Sequence, residues 1–312
     1  MSDPSPLPSF DELSLPPQDG DADKPAVLHD RAIGAIISET RNLSAEQIEK
    51  ILVHQRKEGI RFGEAAIALG YVSTDDVLFA LAQQFHYPYA AESQRKLSPE
   101  LVTLNQPFSQ QAEAFRAIRT QVMARVFGEV QSHAQAQAQR RALAIISPEP
   151  GDGKTYFAAN LAVTLAQLGG RTLLVDADMR GPRQHKVFNL SAKMGLSGIL
   201  SGRSPSQAVQ QVPGVASLFI LPVGTTPPNP LELVERPAFG LLLRELVNKF
   251  DHVVVDTPAA AYGADSQVIA SRCGAALVLA RKDTSRVSAL QDLVGAIADG
   301  PTILAGVIIN EY

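Results

Sequence analysis

The segment from Ala142 to Gly170, ALAIISPEPGDGKTYFAANLAVTLAQLGG, constrains this chain more than any other. It opens on an apolar run too continuous for a half-exposed strand and closes on apolar residues at helical spacing. Between the two lies a loop with Gly151 and Gly153, followed by Lys154 and Thr155. Strand, glycine loop and helix in that order aim backbone N–H groups at an anion, and the helix N-terminus adds its partial positive charge. Gly151 and Gly153 let the backbone turn inward around phosphate oxygens, Lys154 can reach the outer phosphates, and the Thr155 hydroxyl can ligate magnesium. The strict spacing would place a glycine at position 148, where this chain has Pro148, so the reading rests on the flanking strand and helix. A turn that merely contains GKT would need neither. Pro148 to Thr155 is therefore expected to bind the phosphates of a magnesium nucleotide, with Gly151, Asp152, Gly153, Lys154, Thr155 and Tyr156 as its contacts.

Carboxylates follow where such a loop would need them. TLLVDADMR ends a second strand on Asp176 and Asp178, and FDHVVVDTP ends a later one on Asp256. Strand ends of this kind face the crevice in which open α/β sheets bind ligands. Of Asp176 and Asp178, one could hold magnesium directly or through water and the other could take a proton from an attacking hydroxyl. Asp256 stands at the magnesium as well. A single aspartate at a strand end is as readily a cap or turn residue; three beside a phosphate loop are not.

Six apolar runs, ALAIIS, TLLVDAD, SLFILPV, HVVVDTP, AALVLAR and ILAGVIIN, alternate with helical patterns. Runs so continuous imply strands covered on both faces, hence an α/β fold: a mostly parallel sheet flanked by helices, spanning residues 142–312. Residues 1–24 are dense in Pro, Ser and Asp and are expected to be a disordered tail. Residues 25–90 contain a repeat with a period of 29, in which Ile33, Gly34, Leu43, Ser44, Glu46, Ile48, Leu52 and Gln55 recur as Phe62, Gly63, Val72, Ser73, Asp75, Val77, Leu81 and Gln84. Each copy carries a serine N-cap ahead of an amphipathic helix, so a small helical domain of two similar halves precedes the sheet. Residues 91–141 supply a linker, a helix from about Ser109 to Phe127, and the tract HAQAQAQRR, a surface linker or frayed helix.

The net charge of −4 is spread without like-sign blocks and gives no reason to expect nucleic acid as a partner. One cysteine, Cys273, excludes an internal disulfide and a cysteine-rich metal site. No apolar run approaches the roughly 18 residues that cross a bilayer, so membrane contact is expected only through a partner.

From about Glu113 to Asn310 the chain resembles the bacterial tyrosine kinases of capsule and exopolysaccharide loci, relatives of the MinD and ParA ATPases. SPEPGDGKT is similar to that family's Walker A loop, LLVDADMRGPRQHKVF to its second Walker motif and VVVDTP to its Walker B strand. The resemblance implies a P-loop NTPase that uses ATP and Mg2+. Lys154 would contact phosphates, and Thr155, Asp176 and Asp256 would serve the metal. Lys154, Asp176 and Asp178 would be catalytic, and Asn310 would approach the adenine. EAFRAIR resembles the helix through which these kinases form rings, with Glu113, Arg116 and Arg119 on one face; ordinary solvated charge is the alternative. The resemblance further implies a homo-oligomeric ring, a chain-length-determinant (Wzz-like) activator in the inner membrane, and a cytoplasmic location peripheral to that membrane. Two positions depart from the relatives. Glu149 stands where MinD and ParA proteins carry a lysine, which disfavours their sandwich dimer, and the tyrosine-rich tail of the kinases is reduced to Tyr312, the candidate phosphorylation site.

The repeat resembles the MshEN domain of type II secretion and pilus ATPases, some of which bind cyclic di-GMP. Gly34 and Gln55 in the first copy, and Arg61, Gly63, Gly70 and Gln84 in the second, fit its motif. In the first copy Ala32 replaces the motif's arginine and Arg41 its glycine, so a docking domain without ligand and a cyclic di-GMP receptor both remain open. Three functions compete: a tyrosine kinase regulating exopolysaccharide chain length or export, an ATP-switched assembly protein of the MinD type, and a cyclic di-GMP-responsive ATPase.

Overall fold

The computed structural model describes residues 33–84, 97–128, 140–203 and 207–311. The tail at residues 1–24, most of the alanine and glutamine tract, and Tyr312 lie outside the described residues. The chain divides into two compact units, with the described residues 33–84 in one and 97–311 in the other.

The first unit is four helices, α1 Ile33–Thr40, α2 Ala45–Glu58, α3 Phe62–Ala68 and α4 Thr74–Gln84. Helices α1 and α3 begin 29 positions apart, as do α2 and α4, so the sequence repeat is a repeat of helix pairs. Ser44 and Ser73 cap α2 and α4 in the same way. The Ser44 hydroxyl accepts from Gln47 N–H (3.2 Å) while Gln47 Oε1 accepts from Ser44 N–H (2.8 Å). Ser73 and Asp76 make the same exchange at 3.2 and 2.8 Å. The reciprocal partner is thus the third residue after the serine. Ile37, Ile51, Ala65, Ala66, Val72 and Ala80 form the core. Gly63 lies against α4 so closely that a Cβ there would sit 2.8 Å from Val77 Cγ1.

The second unit is a sheet of seven strands: β1 Ala142–Ile146, β2 Thr172–Asp176, β3 Gln210–Gln211, β4 Leu218–Leu221, β5 His252–Asp256, β6 Gly274–Arg281 and β7 Ile303–Asn310. Their order is β3-β4-β2-β5-β1-β6-β7. Every pairing is parallel except β3 with β4. The six apolar runs are therefore the six parallel strands, and β3 is an addition that its two glutamines gave no reason to expect. Alternate β1 residues face two cores. Leu143 and Ile145 pack with the Lys154–Ala166 helix and with the Gln110–Val122 helix, while Ala142, Ala144 and Ile146 face the side covered by the Pro237–Lys249 and Asp265–Cys273 helices. The expected Ser109–Phe127 helix is capped by Ser109 as read, but its last turn, Met123–Phe127, has π geometry. Parallel strands put all their carboxyl ends along one edge, and the register aligns Asp176 with Asp256 there.

Candidate functional site

β1 delivers the chain to Ser147 fully buried, and the helix that begins at Lys154 starts on Gly153. Gly151 and Gly153 have φ of +89° and +97°, a region in which a side chain is strained. At Gly153 a Cβ would also meet the Asn310 side-chain amide, which would have to move aside. Lys154 bends back across the loop and donates to Ser147 Oγ (2.9 Å), with only 7% of the residue exposed. Burial lowers its ammonium from the ordinary range, and the charges of Asp256, Asp178 and Asp152 oppose that shift.

The loop is held by its own acid and by two distant segments. The Asp152 carboxylate turns inward, accepting from Glu149 N–H (2.9 Å) and from Ser285 Oγ (2.6 Å). Asn310 Nδ2 donates to Asp152 O (3.0 Å), which places Asn310 against the loop backbone. Glu149 pairs with Arg286 at 2.7 Å. Ser285 and Arg286 went unread in the sequence, since nothing in the turn after β6 signals a contact with a loop far away in the chain.

The three aspartates separate into two environments. Asp176 and Asp256 end neighbouring strands and are both fully buried. Burial, then the charge of Asp256, pushes the Asp176 carboxyl well above the usual range. Burial likewise pushes Asp256 up to about 6, opposed by hydrogen bonds from Gln184 and Thr155. One oxygen of each, Asp176 Oδ1 and Asp256 Oδ1, is buried with no hydrogen-bond partner. Two buried carboxylates with two idle oxygens, beside a hydroxyl and a phosphate loop, suit a divalent cation that completes its shell with phosphate and water. Asp178 is different. It is part-exposed, ties its own turn by accepting from Arg180 and Gly181 N–H (3.1 and 3.0 Å), and lines a cavity of about 540 Å³. Gly151, Gly153, Lys154, Thr155 and Tyr156 line the same cavity, with Arg180, Arg183 and Tyr262 across from them.

Gln184, missed in the sequence, is fully buried and bonded to Asp176, Asp256 and the Thr155 carbonyl. In the EAFRAIR helix both arginines are engaged within the chain. Arg119 Nη1 donates to Thr164 O at 3.0 Å, and Arg116 donates to Pro107 O and pairs with Glu113 at 2.9 Å. Only the Glu113 side chain is largely exposed, at 64%. In the helical unit, a cavity of about 430 Å³ is lined by Glu46, Glu49, Lys50, Val53, His54, Lys57 and Leu69. None of Gly34, Gln55, Arg61, Gly63, Gly70 or Gln84 lines it; Gly34 and Gly63 instead face Phe62 and Val77 in close packing.

Residues 143–312 match the family described as the CobQ/CobB/MinD/ParA nucleotide binding domain. The putative tyrosine-protein kinase CapB of Staphylococcus aureus is 31% identical over 221 residues, which are 71% of this chain and 92% of CapB. The tyrosine-protein kinase wzc of Salmonella typhimurium is 29% identical over 68% of this chain, but the chain spans only 28% of that longer protein. Among solved structures, the kinase domain of the Escherichia coli tyrosine kinase ETK superposes with a TM-score of 0.60 at 27% identity, covering 67% of this chain and 79% of that domain. The phosphate loop, the paired strand-end carboxylates and these relatives agree: the chain belongs to the CobQ/CobB/MinD/ParA nucleotide-binding family, within its group of bacterial tyrosine-protein kinases.

Proposed function

We propose that this chain is an ATP-dependent protein tyrosine kinase that serves exopolysaccharide chain-length control or export. The observation that carries the reading is the division of labour among the aspartates: Asp178 lines the cavity beside the phosphate loop, while Asp176 and Asp256 are sealed at neighbouring strand ends. Asp176 and Asp256, sealed beside Thr155, would hold Mg2+, which when bound supplies charge to the outer phosphates of ATP. Lys154 would stabilise charge on the transferring phosphoryl group. Asp178, open to the cavity, would orient the incoming tyrosine hydroxyl and accept its proton as the phenolic oxygen bonds to the γ-phosphorus and the bond to ADP breaks. Incubation with labelled Mg-ATP should yield phosphotyrosine, and Asp178→Asn should lower that yield far more than it lowers ADP affinity. ATP hydrolysis without any phosphotyrosine would instead support the MinD-type assembly switch.

The remaining assignments belong to the same proposal. Residues 142–312 form the catalytic domain, and residues 91–141 bring the Gln110–Val122 helix, which would meet the next subunit of a ring through Glu113, Arg116 and Arg119. An inner-membrane chain-length protein serves as activator, holding the kinase at the cytoplasmic face. Tyr312 is the tail acceptor. The paired helical repeat of residues 25–90 is an MshEN-like regulatory domain, supported by helix starts and caps that recur at the same spacing. Calorimetric titration of the whole chain with cyclic di-GMP tests that last assignment, and an absence of heat at saturating ligand would leave it a docking domain.

A further inference from the structure

Gln184 opens the short Gln184–Val187 helix that follows β2, and none of its surface is exposed. Its backbone N–H donates to Asp176 Oδ2 at 3.0 Å. Its side-chain Nε2 donates to Asp256 Oδ2 at 2.9 Å and to the Thr155 carbonyl at 3.1 Å. One residue thus ties the ends of β2 and β5 to the first turn of the phosphate-loop helix. The orientation of its amide is settled by these partners, because the opposite orientation would set Oε1 against a carboxylate and a carbonyl, acceptor against acceptor. What stays without a partner is equally specific: Asp176 Oδ1, Asp256 Oδ1 and Gln184 Oε1, all buried acceptors. Buried acceptors left idle are costly in a fold that needs nothing from them.

We propose that Gln184 is a positioning residue of the cation site: by holding one oxygen of each buried carboxylate, it presents the other oxygen of each, together with its own Oε1, to a divalent cation and the waters around it. This rests on the magnesium-nucleotide reading above and adds a residue that reading does not contain. Partners of metal-binding carboxylates typically contribute ten- to a hundredfold in metal affinity, so the effect is measurable.

The test is calorimetric titration of the full chain with ADP, once with excess Mg2+ and once with EDTA, comparing the parent with Gln184→Met. Methionine matches glutamine in length and flexibility but has neither the donor nor the strong acceptor. The expected result is ADP affinity in EDTA within about twofold of the parent, while the gain that Mg2+ brings falls about tenfold. An undiminished magnesium gain in Gln184→Met overturns the inference. So does an equal loss with and without Mg2+, which would make Gln184 a packing residue of the loop. Should the methionine variant not fold, Gln184→Asn carries the same comparison, being one methylene too short to reach the Asp256 carboxylate from a backbone anchored at Asp176, and an unchanged gain there overturns the inference too. Absence of any magnesium gain in the parent would be a different failure, that of the magnesium-nucleotide reading itself.

Discussion

The two units of this chain treat polar side chains in opposite ways. Among the described residues of the helical unit, every buried side chain that builds the core is apolar, and the hydroxyls and carboxylates work at helix ends near the surface. The sheet unit instead buries Asp152, Lys154, Asp176, Gln184 and Asp256 along one edge. Caps stabilise a helix by satisfying N–H groups that would otherwise lack partners. Buried charges do the reverse, since each loses its hydration, and a sheet with cores on both faces has no structural need of them. The contrast teaches where to look for chemistry: the helical unit is polar where the fold requires it, and the sheet unit is polar where the fold is harmed by it.

The largest effect that should follow is on turnover. Lys154→Met is expected to lower phosphoryl transfer roughly a hundred- to a thousandfold, the usual result of removing one preorganised charge from a transition state. Circular dichroism should report an unchanged fold. Turnover within a few-fold of the parent would dissolve the contrast between the units. Next comes a gain in stability from damage to the site. In the metal-free protein the folded Asp256 is raised from the unfolded 3.8 to about 6, so the native state binds more protons than the unfolded state between those values. Stability is therefore greatest below the unfolded value and falls as pH rises through about 6. A shift of that size corresponds to about 3 kcal/mol, and Asp256→Asn, neutral at every pH, should recover stability of that order at pH 7.5 while impairing Mg-ADP binding. Urea denaturation in EDTA at pH 5 and pH 7.5 reads both the slope in the parent and its reduction in the variant.

How much of this was legible in the sequence depended on the kind of signal. The parallel strands could be read because burial on both faces forces continuous apolar runs, and the phosphate loop because its glycines and GKT sit between strand and helix. β3 could not, being two half-buried glutamines whose pairing depends on β4 alone. Asp176, Asp178 and Asp256 could be placed at strand ends, yet their separation into a sealed pair and an open third depends on the β2–β5 register, which no local pattern encodes. Gln184 left a fainter trace still: an amide in the polar run RQHK looks like surface until the fold turns it under the carboxylates. Arg119 shows the same limit, because helical spacing says which face it lies on but not that Thr164 O waits there.

That arginine sharpens the comparison at intermediate size. Arg119→Glu should cost the sheet unit about 1 to 2 kcal/mol by replacing a charged donor to the Thr164 carbonyl with a second acceptor, in addition to any effect on assembly. Glu113→Lys reverses a charge that is 64% exposed, and an exposed pair contributes well under about 1 kcal/mol to stability. Its effect should therefore fall on self-association, and sedimentation velocity beside thermal melts separates the two. Equal melting losses for both variants would contradict the distinction.

The smallest effects lie in the helical unit, where the two halves of the repeat can be set against each other. Ser44→Ala and Ser73→Ala each remove a reciprocal cap, a loss of about 1 kcal/mol for an ordinary serine cap. The caps are not equivalent. Ser44 exchanges bonds with neutral Gln47, whereas Ser73 exchanges them with Asp76, whose carboxylate also pairs with Arg41 at 2.7 Å and has a side chain only 11% exposed. Burial pulls the Asp76 pKa upward, but the bonds from Arg41 and Ser73 outweigh it and hold the group below its ordinary value. Its contribution is then present above the unfolded value near 3.8 and is lost as pH falls through the lower folded value. Ser73→Ala should accordingly cost more than Ser44→Ala at pH 7, by some tenths of a kcal/mol, since it weakens a charged box at a helix N-terminus. The excess should fade as pH drops through the lowered folded value of Asp76 and vanish in acid where the group is neutral in both states. Hydrogen exchange at the first-turn amides of α2 and α4 reads the two caps separately in one sample. Protection lost equally at both ends, or an excess that persists in acid, would mean that the repeat is symmetric in energy as well as in spacing and that the Arg41 pair contributes nothing to it.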